Sequence, residues 1–246
     1  MKSFIATCAT LVASVLIGLP VMANEGVKLD RAPISPTDAA SLQAGARTFV
    51  NYCLNCHSAG LVRYNSLKAI GLTEAQIKEN LLFTGQKVGD MMNVAARARE
   101  QREWFGNAPP DLSVEARTRG VDWLYTYLRG FYRDPNTATG WNNRVFPNVA
   151  MPHAMWSLQG VAEGHTETVK IEGEEHHELV IGAAHGGSMN SVQYDQTVAD
   201  LVNFMGWMAE PHAIERHNLG YLVLIVLSIL ILLTYLLKAS YWKDVH

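Results

Sequence analysis

The chain has 246 residues, 48% of them hydrophobic and 17% charged, enough for one domain with a real core. Its net charge is −3 and it carries no basic run, which excludes a strong pull toward nucleic acid. Neither internal repeats nor low-complexity segments are evident.

Residues 1–23 read as a secretory signal. Lys2 supplies the positive start, an apolar run extends from Phe4 to Leu19, and Val21-Met22-Ala23 offers small residues for cleavage before Asn24. A membrane anchor competes with that reading, but Thr7, Thr10, Ser14 and Gly18 interrupt the run. Cleavage removes Cys8 and leaves Cys53 and Cys56 as the mature cysteines.

Ser35-Pro36-Thr37-Asp38 opens a helix, with Ser as cap, Pro at the first helical position and an acid three residues after the cap. It continues through Leu42, Gly45, Phe49 and Tyr52 into Cys53-Leu54-Asn55-Cys56-His57. C-x-x-C-H is the attachment sequence of a c-type haem. Two thiols at this spacing each add to one vinyl group of a porphyrin. The histidine that follows is brought under the iron as the proximal ligand. Leu54 and Asn55 are spacers without assigned chemistry.

Three other readings of the pair are weaker. A zinc site lacks its second half, since only Cys8 remains. A thioredoxin-like pair needs a surrounding βαβ pattern that is absent. A disulfide at this spacing is strained and leaves His57 without a role.

Further along, Thr73 to Phe83 is predicted as an amphipathic helix with Ala75, Ile77, Leu81 and Leu82 on its buried side. Val121 to Tyr132 is a third helix, strongly aromatic through Trp123, Tyr125, Tyr127, Phe131 and Tyr132. That stripe reads as core, and in a haem protein core and haem wall are often one surface. In residues 165–181 Val169 and Ile171 alternate with polar residues, Glu172-Gly173-Glu174 marks a turn, and Leu179 to Ile181 returns as a second strand. Glu163, Glu167, Glu172, Glu174, Glu175 and Glu178 face a single Lys170 there. A solvated hairpin is the plain reading, and an acidic docking surface for a basic partner the sharper one. A last soluble helix spans Val192 to Ala209, with Val198, Leu201, Val202, Met205 and Met208 as its apolar positions, and ends at Glu210-Pro211.

Leu219 to Leu237 carries no charged residue, and as a helix at 1.5 Å per residue it approaches the ~30 Å hydrocarbon thickness. Tyr221, Tyr235, Tyr241 and Trp242 sit near its ends, where amphipathic rings favour the headgroup layer. Lys238 and Lys243 follow it, while Glu215 and Arg216 offset one another before it. This is a stop-transfer anchor behind a cleaved signal. Residues 24–212 then form a periplasmic haem domain, 219–237 the transmembrane anchor and 238–246 a cytoplasmic tail, on the bacterial inner membrane.

An electron-transfer haem gains from a second strong axial ligand, and a thioether stabilises ferrous iron. Nine methionines compete. Met91 and Met92 lie in a polar, loop-like stretch, and Met189, Met205 and Met208 in or near the last helix. Met151 and Met155 sit in the proline-punctuated segment 145–156. Proline after Met151 keeps that residue out of the α region, which suits a ligand presented from a loop, so Met151 leads Met155. His153 between them offers a bis-histidine alternative, though a surface or propionate-bonding imidazole fits the residue better.

The chain resembles the cytochrome c1 family over nearly its whole length. The resemblance rests on C-x-x-C-H followed by Ser58 and Arg63-Tyr64-Asn65, on Trp104-Phe105-Gly106 and on Ala108-Pro109-Pro110-Asp111-Leu112-Ser113. It continues through Arg117-Thr118-Arg119-Gly120, Phe131-Tyr132-Arg133-Asp134-Pro135, Asn142-Asn143 before Phe146-Pro147, and Ala209-Glu210-Pro211 before one terminal anchor. It implies Met151 as sixth ligand, Arg119 on a haem propionate and Pro109-Pro110 lining the haem crevice. The residue type supports Arg119 independently, since a guanidinium forks onto a carboxylate with two bonds. Many family members have Met-Ala-Pro-Pro at the ligand loop, where this chain reads Met-Pro-His-Ala-Met.

The fold expected is mostly α, a cytochrome c-type haem domain with a small β-hairpin insert and one C-terminal transmembrane helix. The expected sites are Cys53, Cys56, His57, Met151, Arg119 and Pro110 around one covalent haem c, with His57 and Met151 on the iron. By resemblance the partners are cytochrome b, a Rieske iron–sulfur protein as donor and a cytochrome c as acceptor, in a quinol–cytochrome c oxidoreductase, with membrane lipid around the anchor. No acid–base or nucleophilic machinery is present, so the subunit acts only within its complex. The rivals are the haem subunit of another respiratory complex, such as a terminal oxidase, and a haem peroxidase or gas sensor with an open sixth position.

Overall fold

The computed structural model describes residues 27–171 and 174–243. The expected signal, Cys8, the turn at Glu172-Gly173 and the last three residues lie outside the described residues. In chain order the elements begin with α1 (Ala39–Thr48), a π-turn at Phe49–Cys53, β1 (Ala59–Arg63), a 3-10 segment at Tyr64–Ile70 and α2 (Glu74–Asn80). Then come β2 (Met91–Met92), α3 (Ala98–Phe105), α4 (Glu115–Arg119), α5 (Val121–Arg129), β3 (Phe131–Arg133) and β4 (Trp141–Asn143). The chain closes with α6 (Trp156–Gln159), β5 (Gly160–Val161), β6 (Gly164–Ile171), β7 (Glu174–Ile181), β8 (His185–Gly186), α7 (Ser191–Ala209) and α8 (Ala213–Tyr241). The architecture is mostly helical with small antiparallel sheets, β1–β2, β3–β4, β5–β8 and β6–β7, each of two strands.

The first helix starts later than its sequence predicts. Asp38, not Ser35, is the cap, and its carboxylate accepts from Ala40 N at 3.0 Å and Ser41 N at 3.2 Å. Ser35 instead accepts from Asp38 N in the turn before it, with Pro36 inside that turn. A carboxylate reaches two orphan amides where a hydroxyl reaches one, so the cap moves to Asp38. α1 then packs along α7 at Gly45, where a Cβ would fall on the Asp200 carbonyl and the Phe204 Cβ. Phe49 and Phe204 continue that contact at 5.6 Å between ring centroids. This close approach sets the position of everything α1 delivers.

α2 is capped as its sequence requires, Thr73 and Gln76 bonding reciprocally, but it ends at Asn80 and leaves Ala75 exposed. Only Ile77, Leu81 and in part Leu82 turn inward. Met91 and Met92, expected in a loop, form β2 against β1, and Met92 is fully buried. α5 ends at Arg129, three residues short of the expected Tyr132: Gly130 is its C-cap, with its N–H bonded to the Tyr127 carbonyl, and a Cβ there would meet Arg144 and the Thr126 carbonyl. Phe131–Arg133 then pairs with Trp141–Asn143. β6 and β7 form the expected hairpin, but its return strand is the whole of Glu174–Ile181 rather than its last three residues. α7 buries Val198, Leu201, Val202, Met205 and Met208 as its pattern predicts.

A charged clasp closes the domain behind α5. Arg129 forks onto Asp195 at 2.6 and 3.0 Å, and Asp30 accepts from Arg129 at 3.0 Å and Arg144 at 2.6 Å. α8 contains the whole Leu219–Leu237 run and has no buried side chain. It is long and apolar enough to cross a membrane.

Candidate haem site

The π-turn does the local work of presenting the thiols. Such a turn is a common device at functional positions because it rotates the residues that follow it relative to the helix face. Cys53 is its last residue, and the Cys53 carbonyl accepts from Cys56 N at 3.1 Å and His57 N at 2.9 Å. That closed loop turns both cysteines and the imidazole toward one cleft. The two residues expected to be mere spacers hold it. Leu54 is buried in the core, a contribution of about 1.5–3 kcal/mol, and Asn55 Nδ2 bonds the Asn51 carbonyl at 2.8 Å. Gln101, on α3, is buried and donates to the Cys56 carbonyl at 2.7 Å, a brace that no motif in the sequence announces.

The Pro-Pro-Asp-Leu-Ser run is stitched to the chain just past His57. Leu112 N donates to the Ser58 carbonyl at 2.8 Å, Gly60 N to Asp111 Oδ2 at 2.8 Å, and Leu61 N to Ser113 Oγ at 3.0 Å. Burial of Asp111 favours its neutral form, but the bonds from Ser113 and Gly60 outweigh it and hold the carboxyl below its ordinary value. The stitching places the Pro110 carbonyl 2.8 Å from His57 Nδ1. Burial lowers the His57 pKa, against the raising influence of that bond, Glu115 and Asp111. The imidazole is therefore neutral, Nδ1–H faces the carbonyl, and Nε2 keeps its lone pair for a metal.

The facing wall is the segment 145–155, shaped by two carboxamides. Asn143 Oδ1 accepts from Val145 N at 2.8 Å and Phe146 N at 3.3 Å, while its Nδ2 donates to the Tyr127 carbonyl at 2.7 Å. Asn142 Oδ1 accepts from Asn148 N at 2.8 Å, where Asn148 takes a left-handed φ of 59°. The expected Asn142-Asn143 motif is thus a brace for the loop that carries Met151. Met151 is half-buried and accepts from the Tyr127 hydroxyl at 3.3 Å, whereas Met155 is buried. Both line the cleft, and so does Met205 from α7.

The surface branch of the His153 expectation is overturned: the imidazole is 2% exposed, stacked on Phe131 at 4.9 Å and 5°, with Trp141 and Tyr194 edge-on. Burial lowers its pKa to about 4, and its Nε2 is buried without a hydrogen-bond partner among the described residues. No local pattern announces this cluster, because its four rings come from β3, β4, α7 and the loop.

Arg119 lines the cleft at its polar end. Its Nε bonds Glu115 at 2.7 Å and its guanidinium lies 4.6 Å from the Trp123 ring and 5.7 Å from Phe146. From there an aromatic ladder descends through Trp123–Tyr127 at 4.8 Å and 12°, Tyr127–Phe131 at 5.1 Å, and Phe131–His153. Trp123 and Tyr127 share one face of α5 at i,i+4 spacing, and Arg119, the last residue of α4, and Phe131, the first of β3, extend that row from outside the helix. Of the other aromatics on that stretch, Tyr125 turns instead to Arg129, 4.5 Å away.

The cleft between these walls encloses about 520 Å³ and is lined mostly by apolar and aromatic side chains. These residues fit a porphyrin. Two thiols and one imidazole with a free Nε2 stand on one wall, thioether sulfurs on the other, and a guanidinium at the rim. A bare metal ion fits poorly. Burial, with Cys56 adding to it, pushes the Cys53 thiol up to about 12, away from the thiolate a zinc site needs. No cluster of three or more His, Cys, Asp or Glu is placed for an ion among the described residues.

The sequence matches the model of the Cytochrome C1 family over residues 30–171 and 184–245. The chain belongs to the cytochrome c1 family. It is 40% identical to cytochrome c1 of Allochromatium vinosum over 246 residues, covering 100% of this chain and 99% of that one. To cytochrome c1 of Rhodospirillum rubrum it is 28% identical over 242 residues, 85% and 83% of the two chains. A Nitrosomonas europaea protein named ammonia monooxygenase gamma subunit is 48% identical over 226 residues, 91% of each. Membership makes this chain a haem-bearing electron-transfer subunit of the cytochrome bc1 type, in respiratory electron transport. As a cytochrome c1 it is anchored in a membrane by its C-terminal helix, the place that α8 occupies.

Proposed function

We propose that Cys53 and Cys56 of this chain would hold one haem c through thioethers, that His57 Nε2 and Met151 Sδ would donate to its iron, and that the subunit relays electrons from a Rieske iron–sulfur protein to a cytochrome c. The observation that carries it is the bond between His57 Nδ1 and the Pro110 carbonyl, which frees Nε2 toward a cleft whose far wall holds Met151. When bound there, a haem c supplies one-electron Fe(III)/Fe(II) chemistry. The chain does the rest. Pro110 fixes the imidazole, the Asn142 and Asn143 braces set the reach of Met151, and the aromatic ladder makes its side of the cleft apolar. Arg119 neutralises a propionate carboxylate at the rim. Donors held by these braces would keep the reorganisation small, and thioethers at Cys53 and Cys56 would prevent loss of the group.

Partners follow from the same reading. Cytochrome b shares the bilayer with α8, and the haem domain stands on the periplasmic face of the bacterial inner membrane. The test is purification of the native membrane complex. Cytochrome b, a Rieske protein and covalent haem in one particle support the assignment, and a quinol-driven reduction of cytochrome c that needs His57 completes it.

The relative named for ammonia monooxygenase raises a second reading, a haem subunit that serves that oxygenase. Ammonia monooxygenase subunits in place of cytochrome b and the Rieske protein in the purified particle decide for it.

A further inference from the structure

Tyr127 is the rung of the aromatic ladder that touches the ligand loop twice. Its backbone carbonyl accepts from Asn143 Nδ2 at 2.7 Å, and the same carboxamide holds the Val145 and Phe146 amides where the loop begins. Its hydroxyl donates to Met151 Sδ at 3.3 Å, within the range of a bond to sulfur. The ring itself has little freedom, lying flat on Trp123 and edge-on to Phe131, and the residue is buried.

A thioether sulfur has two lone pairs. If one is given to iron, the other remains, and in this cleft the Tyr127 hydroxyl points at it. We infer that Tyr127 is a positioning residue for the axial thioether, its hydroxyl occupying the second lone pair of Met151 and so raising the reduction potential. The inference rests on the assignment of Met151 as a ligand. A hydrogen bond to the sulfur draws density away from it and makes it a poorer donor. Ferric iron needs that donation more than ferrous iron does, so the ferric state loses more and the potential rises. The bond also selects which lone pair faces the iron, because Sδ cannot turn about Cγ without breaking it. Nothing in the sequence motifs points to Tyr127, since the i,i+4 stripe marks it only as core.

The test uses Tyr127→Phe in the full-length, haem-loaded chain within its membrane complex. Phenylalanine keeps the ring and both ring contacts, so thermal stability stays near that of the parent. The expected result is a thioether band in the far red that persists but moves, a lowered midpoint potential, and faster displacement of the sulfur by added imidazole. A Tyr127→Phe protein with parental band and potential overturns the inference. A second arm places Tyr127→Phe in a Met151→His background, which keeps a low-spin iron without the sulfur. There the potential is expected not to move, and a shift as large as in the parent overturns action through sulfur. Met151→Leu separates the two layers. Loss of the far-red band in Met151→Leu with no change in Tyr127→Phe sinks the Tyr127 role alone, whereas a band retained in Met151→Leu removes the ligand assignment and the Tyr127 role with it.

Discussion

His57 Nδ1 and the Pro110 carbonyl oxygen lie 2.8 Å apart although 53 positions separate them in the chain. The bond exists because Asp111, Leu112 and Ser113 are tied to Gly60, Ser58 and Leu61, so the run after the prolines is laid along the strand after the imidazole. It leaves the imidazole one orientation, with Nε2 into the cleft. A carbonyl acceptor on the second nitrogen also makes the ring a stronger donor to a metal.

The first prediction is that His57→Ala abolishes a low-spin haem, while Cys53→Ala or Cys56→Ala removes one thioether and shifts the ferrous α-band. Absorption spectra of the purified variants read both effects. An unchanged spectrum in His57→Ala would end the haem-site assignment.

Met151 and Met155 both line the cleft, four positions apart, but they differ in setting. Met151 is half-buried with its sulfur bonded to Tyr127, and Met155 is packed in the core at 2% exposed. Met151→Leu is expected to lower the potential by roughly 100 mV or more, within the ~0.8 V axial ligands span, and to open the iron to carbon monoxide. Met155→Leu conserves volume, costs less than about 1.5 kcal/mol and leaves potential and carbon monoxide reactivity as they were. Redox titration and carbon monoxide difference spectra check the pair, and the reverse pattern moves the ligand to Met155.

Gly45 predicts a stability effect far from the cleft. Alanine there gains about 1 kcal/mol of helix propensity, but its Cβ meets the Asp200 carbonyl and Phe204 of α7. Prising the helices apart costs about 1–3 kcal/mol, and valine more, so overpacking wins. Thermal unfolding of Gly45→Ala and Gly45→Val should show successive falls in Tm. A rise in either would mean that the helices have room to separate.

His153 gives a pH dependence with a definite sign. Its ordinary pKa of 6.5 falls to about 4 in the folded protein through burial among Phe131, Trp141 and Tyr194. The unfolded chain therefore binds the proton first. Stability from the neutral imidazole is full above pH 6.5 and is lost as pH falls through 4, by up to about 3 kcal/mol. His153→Phe should flatten denaturation midpoints over that window, and an equal slope in both proteins would contradict the burial argument.

Topology supplies the last prediction. A reporter active only outside the cytoplasm should work when fused after Glu210 and fail after Val245. The reverse pattern inverts the membrane orientation and removes the proposed partners.

Much was legible in the linear order of residues. The spacing of Cys53, Cys56 and His57 points to a haem without any structure, because a porphyrin's vinyl groups impose such a spacing, and membership of the cytochrome c1 family agrees. An uncharged run long enough for a bilayer marks an anchor for the same kind of reason, a length imposed from outside the chain. The periodic apolar positions of α7 and the pairing of β6 with β7 were readable too, since each depends on neighbours close in sequence. What tertiary structure decided is whatever depends on groups distant in sequence. Periodicity placed Tyr127 in the core, but its hydroxyl meets Met151 only because Asn143 folds the loop back onto α5. His153 reads as a surface imidazole beside a proline, yet three rings from other elements close over it. Asp38 displaces Ser35 as the cap, and Gly45 admits α7 at a distance no Cβ would allow, because competing bonds and close approaches outweigh local preference. Local propensities differ by about 1 kcal/mol or less, whereas a buried ring or an overlapped Cβ is worth several times that, so where they disagree the packing decides.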